Sequence, residues 1–149
     1  MKTFKISVKF GVLIALILII YFVILGICGV NANPAYSVFN AVITASGIAL
    51  ALKDLKNKKS GEIRYREGFI TALVTGIIAT IIFSVFFITY YVYVPGFSDE
   101  LLQKVGKFAN TGGIFITVIA MGISTSFIAA LTLMQLNKKV KYKKSSDSL

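Results

Sequence analysis

The sequence predicts an all-α integral membrane protein, a four-helix bundle of two helical hairpins with both termini on the cytoplasmic side. Three observations carry that prediction. Of 149 residues, 56% are hydrophobic and only 15% charged, with a mean hydropathy of +0.82, against about a quarter charged in a soluble domain. The charges sit in short clusters between four long apolar runs. Those clusters alternate between strongly basic and nearly neutral along the chain, as the loops of a multi-pass protein do.

The first run, Phe10–Val30, holds 21 uncharged residues behind Lys2, Lys5 and Lys9. At about 1.5 Å per residue it covers the ~30 Å hydrocarbon core. Asn31, Ala32 and Asn33 then make a tight connection, with Asn33 as N-cap and Pro34 at the first helical position of the second run, Pro34–Leu52. The third run is Gly68–Val94, stopped by Pro95 and Gly96, and the fourth is Phe108–Leu136, followed by a basic tail over 137–149. Both later runs exceed the core thickness and must tilt or project from it. Each run is expected to be a helix, because only helices and closed barrels satisfy their backbone in lipid. The whole chain reads as one four-span domain.

Orientation follows from the loops. The N-terminus, the second connection and the tail together carry fourteen basic residues, and the first and third connections two. The positive-inside rule then places both ends in the cytoplasm. Tyr36, Tyr90, Tyr91 and Tyr93 fall at the outer interface, and Tyr65 and Tyr142 at the inner one. A competing reading takes the first run as a signal peptide cleaved near Ala32. Its apolar part is longer than the usual 7–15 residues and a hairpin partner follows at once, so a retained helix is expected. Cys28 is read as a small apolar residue within a helix. It is a poor lipoprotein cysteine, because bulky Ile27 precedes it.

Several chemistries are closed to the chain. There is no His, and one Cys excludes an internal disulfide or a cysteine-cluster metal site. No Asp, Glu, Lys or Arg lies within the four runs, whereas proton relays and ion-coupled carriers usually keep an ionisable group there. No phosphate loop or nucleophile motif is present. The chain is therefore expected not to be an enzyme and to hold no cofactor or metal. The runs do contain polar residues. Asn40 and Thr44, with Ser124 and Ser126, form a speculative polar intramembrane site; the plainer reading is interhelical hydrogen bonding at about 0.6 kcal/mol per bond.

Small residues recur at helical spacing. Ala72, Gly76, Thr80 and Ser84 form one row, Ala109, Gly113 and Thr117 a second, Gly122, Ser126 and Ala130 a third, and Gly47 with Ala51 a short pair. Small rows allow close helix approach in lipid. Gly76, Thr80, Gly113 and Gly122 are accordingly expected to pack helices, within the bundle or against a second subunit. An alternative reads Gly112–Gly113 and Gly122–Ser126 as breaks in a transporter helix. A faint internal echo joins the second and fourth runs: at an offset of 80, seven of the seventeen residues in 43–59 recur, among them Ile43, Ser46, Ile48 and Ala49. It admits either a duplicated hairpin or shared composition.

Two interfacial pieces complete the reading. Ser98 is expected to cap a short outer helix with Asp99 and Glu100 in its first turn, Glu100 paired with Lys104, and Leu101, Leu102, Val105 and Phe108 facing lipid. Glu62 and Arg66 can pair before the third helix. Expected partners are the bilayer, anionic lipid at the basic inner face, and a second copy or another membrane protein; no nucleic-acid partner is expected.

The stretch Gly47–Phe69 carries a resemblance. A glycine in the second helix, a basic stretch, and then Lys58-Lys59-Ser60-Gly61-Glu62-Ile63-Arg64-Tyr65-Arg66-Glu67-Gly68-Phe69 open a third helix that ends in aromatics before Pro95-Gly96-Phe97 and an acidic pair. This resembles a family of small four-span bacterial membrane proteins, common in Bacteroidetes and known only as a domain of unknown function. The resemblance implies four spans and a bacterial inner membrane, and no functional residue. The function expected is a non-enzymatic one exercised through helix packing or partner contacts; the alternative is a small passive channel or transporter subunit.

Overall fold

The computed structural model describes residues 2–30, 34–59, 63–105 and 111–146. Five α-helices and one short turn follow in order: α1 (Lys2–Ile27), a 3₁₀ turn (Pro34–Tyr36), α2 (Ser37–Lys58), α3 (Tyr65–Tyr93), α4 (Phe97–Val105) and α5 (Thr111–Ser146). α1, α2, α3 and α5 are each long and apolar enough to cross a membrane. Asn33, Glu62, Phe108 and Ala109, with the expectations placed on them, lie outside the described residues.

The helix ends depart from the apolar runs for local reasons. α1 begins at Lys2 rather than Phe10, since lysines are good helix formers. It ends at Ile27 in a Schellman turn: Gly29 takes φ 70°, Val30 N–H donates to Leu25 O at 3.0 Å, and Gly29 N–H donates to Gly26 O at 3.1 Å. Pro34 opens the 3₁₀ turn instead of α2, so α2 starts at Ser37. α2 continues to Lys58, six residues past Leu52, with Lys58 paired to Asp54 at 2.8 Å and its basic last turn complementing the helix dipole. α5 runs unbroken through Gly112–Gly113, Gly122 and Ser126. The broken-helix alternative is therefore set aside, and part of the expected basic tail, 137–146, is helical backbone.

α3 is the centre of the bundle. It packs against α1, α2 and α5; α2 also touches α1 and α5, while among the described residues α1 and α5 occupy opposite corners and do not meet. Close pairs fix a common register. Ser7 bonds Thr71 O at 3.2 Å, and a Cβ on Gly11 would lie 3.0 Å from Thr75 O, so α1 and α3 run side by side in parallel. Gly68 meets Met134, Gly76 meets Ser126, and Thr80 meets Gly122, so α3 and α5 are antiparallel. Gly47 packs on Ile14, and Lys59 bridges to Glu67 at 2.6 Å, which sets α2 against both.

The core has three parts. Ile14, Leu18, Ile48, Leu52, Ala72, Ala79, Ala129, Ala130 and Met134 fill the middle. Ile6, Ala51 and Leu55 close the basic end. At the opposite end Phe22 meets Phe83, Phe86, Phe87, Tyr90 and Phe97, all edge to face at 5.1 to 6.2 Å. α4 corrects its expectation here. It begins at Phe97 after Gly96 (φ 84°), so Ser98 lies inside the helix and not at its cap. Leu101 turns inward onto the aromatic cluster, with Leu102 partly buried beside it. The cluster offers that apolar face denser contacts than lipid tails do.

Candidate functional site

α3 is buried through its small and hydroxyl-bearing residues: Gly68, Thr71, Ala72, Thr75, Gly76, Ala79, Thr80 and Ser84, with Phe87 as the one large exception. A buried hydroxyl needs a partner, and most of these use the carbonyl one turn back. Thr71 donates to Glu67 O (2.7 Å), Thr75 to Thr71 O (2.7 Å) and Thr80 to Gly76 O (2.9 Å). In α5, Ser126 donates to Gly122 O at 2.7 Å. These four hydroxyls are thereby satisfied within their own helices, which leaves compact surfaces for close approach.

Two contacts make the seam between α3 and α5 reciprocal. The Ser126 side chain fills the space over Gly76, where a Cβ would collide with it, and Thr80 fills the space over Gly122, where a Cβ would come within 2.5 Å. Gly76, Thr80, Gly122 and Ser126 therefore meet in one interface. Gly113 and Thr117 are exposed on another face of α5, with Thr117 Oγ1 donating to Gly113 O at 2.8 Å. Ser124 is exposed as well. Asn40 is half-buried and Thr44 buried on α2, where Thr44 Oγ1 donates to Asn40 O at 2.8 Å. Of the four residues of the speculative polar site, Ser124 and Ser126 thus lie in different surroundings on α5. Asn40 Oδ1 is buried without a hydrogen-bond partner, and so is Ser84 Oγ.

The α1–α3 contact is made by residues that no small-residue row in the sequence marks. Ser7 and Gly11 on α1 stand opposite Thr71 and Thr75 on α3, each pair spaced by four. That shared spacing was the available signal, and it was hidden because Ser7 lies before the first apolar run. The echo between α2 and α5 does not extend to environment. Ile48 is fully buried and its counterpart Ile128 is 63% exposed, while Ser46 is exposed and its counterpart Ser126 is buried. Near the aromatic end, α3 and α5 leave an apolar notch of about 170 Å³ lined by Phe87, Ile88, Tyr91, Gly112, Ile114 and Phe115.

Four apolar crossings, a centre built from small residues and a periphery of large aliphatic ones define a multi-pass membrane protein of the four-span class. A family model described as a protein of unknown function (DUF4199) matches residues 9–135, and the chain belongs to that family. No curated protein and no solved structure matches.

Proposed function

We propose that this protein is a non-enzymatic component of a bacterial inner membrane that acts by lateral contact of α5 with a partner membrane helix. One observation supports this most. Gly113, Thr117, Ala120 and Ser124 are all exposed, and they recur at intervals of four, three and four residues along α5. That spacing keeps them on one seam of a helix pair. Small and hydroxyl side chains on such a seam give a second helix close access and hydrogen-bond partners. The partner is a second copy of this chain or another membrane protein.

Purification in native lipid particles, with identification of the chains that co-purify, tests the reading. A partner of fixed stoichiometry is expected, and Gly113→Leu with Ala120→Leu should weaken its retention roughly tenfold. Undiminished retention in that variant would overturn the assignment. The basic loops support both termini being cytoplasmic. Reporter fusions at Asn57, Gln103 and after Leu149 should then read inside, outside and inside, and an outside C-terminus would refute this topology. A second reading, a passive channel or transporter subunit without proton coupling, draws on the unpartnered Asn40 Oδ1 and Ser84 Oγ. Solute flux into liposomes containing the purified chain alone would favour it.

A further inference from the structure

At the basic end, two acids are engaged within the protein. Asp54 holds Lys58 at 2.8 Å and Glu67 holds Lys59 at 2.6 Å. Lys53, Lys56, Arg64 and Arg66 are exposed, and among the described residues none of the four is within salt-bridge distance of an acid; Lys59 chiefly, and Arg64 more weakly, stabilise the charged Glu67 carboxyl. Lys5 and Lys9 are exposed on α1, with Lys9 Nζ 5.6 Å from the centre of the Phe10 ring.

The helix register brings these six cations to the same end of the bundle. Ser7 stands beside Thr71, which sets Lys5 and Lys9 beside the second and third turns of α3. Lys59 stands beside Glu67, so Lys56 and Lys53 climb α2 past the same turns. Arg64 and Arg66 flank the start of α3 itself. The cations form a collar around three helices, about 14 Å deep at 1.5 Å per residue.

Exposed apolar and aromatic side chains share that collar: Phe4 (64% exposed), Tyr65 (50%) and Ile70 (45%). Tyr65 stacks on Phe69 with the rings 7° from parallel. Open Phe and Ile spread among the charges on three helices, rather than gathered into one apolar patch, fit a boundary with lipid better than a single docking face. A surface lying where hydrocarbon gives way to headgroups has this composition, with aromatics at the boundary and long basic side chains reaching outward from the apolar surface.

We infer that this collar binds the phosphates of anionic phospholipids, retaining them around the basic end in preference to zwitterionic lipid. The inference is independent of the partner proposed for α5. Asp54 and Glu67 are held mainly by Lys58 and Lys59, which leaves Lys5, Lys9, Lys53 and Lys56 to the lipid.

The full chain, reconstituted in phosphatidylcholine vesicles, would be probed by electron paramagnetic resonance with spin-labelled phosphatidylglycerol and, separately, spin-labelled phosphatidylcholine. An about fivefold preference for the anionic probe in the motionally restricted population is expected, the size of one favourable phosphate contact. The preference should fall towards one in 1 M NaCl, where the screening length is about 3 Å. It should be at least halved in the Lys53→Gln, Lys56→Gln, Arg64→Gln, Arg66→Gln variant, and unchanged in the charge-neutral pair Asp54→Asn, Lys58→Gln. Equal restriction of both probes by the native chain would overturn the inference. So would a preference that salt leaves intact, or one that the neutral pair reduces as far as the fourfold variant does. If the fourfold variant does not insert, the salt series on the native chain decides.

Discussion

α3 and α5 are similarly apolar spans of one chain, yet 44% of the most apolar window of α3 is buried inside the protein against 22% for α5. The difference lies in what each helix hides. α3 turns Thr71, Thr75, Gly76, Thr80 and Ser84 inward and leaves Ile81 and Val85 to the lipid. α5 buries Ser126, Ala129, Ala130 and Met134 and exposes Ile116, Met121, Ile123 and Ile128. Lipid tails are as apolar as leucine, so large aliphatic side chains have no drive to leave them. Close backbone approach decides the centre, and the helix with the longest unbroken face of small residues becomes the hub.

The hardest test of that comparison is steric. Gly76→Leu should cost on the order of 3 kcal/mol or abolish folded protein, because the added side chain must displace Ser126 in a closely packed seam. Gly113→Leu, on the exposed face of α5, should leave folded yield and thermal midpoint in detergent close to the native values. Equal loss in the two variants would remove the distinction between the seams.

A smaller effect should separate the two isoleucines that the internal echo equates. Ile48 is fully buried and Ile128 is 63% exposed. Ile48→Ala should destabilise by about 2 kcal/mol through lost packing, and Ile128→Ala by less than about 0.5 kcal/mol, since the exposed site loses only lipid contacts. Thermal unfolding of both variants in the same detergent measures this. Matching shifts would mean that the duplicated segments are equivalent after all.

The finest contrast concerns hydroxyls. Ser126 bonds the Gly122 carbonyl, whereas Ser84 Oγ is buried without a partner. Ser126→Ala should cost about 0.5 kcal/mol, the low end for a hydrogen bond, since the bond lies within its own helix. Ser84→Ala should be neutral or stabilising by up to about 1 kcal/mol, because it removes an unsatisfied buried group. A Ser84→Ala variant less stable than Ser126→Ala would show that Ser84 has a partner, most simply a bound water.

The sequence by itself determined how many segments are long and apolar enough to cross a membrane and which ends of the helices gather positive charge. Both are one-dimensional properties: a backbone in hydrocarbon must be helical over about twenty residues, and charges must lie outside that stretch. The row Ala72, Gly76, Thr80, Ser84 was legible as a packing face for the same local reason, since its spacing of four repeats along one helix.

Only the tertiary structure decided which rows meet. Gly113–Thr117 and Gly122–Ser126–Ala130 are equally good small faces in α5, and only the second is engaged by Gly76 and Thr80. Nor did spacing reveal that Ser7 and Gly11 set α1 alongside α3, or that Leu101 turns from lipid to the aromatic cluster. In a soluble protein, hydrophobicity marks the side of a helix that faces inward. In lipid both sides are apolar, that signal vanishes, and steric complementarity between helices distant in sequence chooses among faces that the sequence alone presents as equivalent.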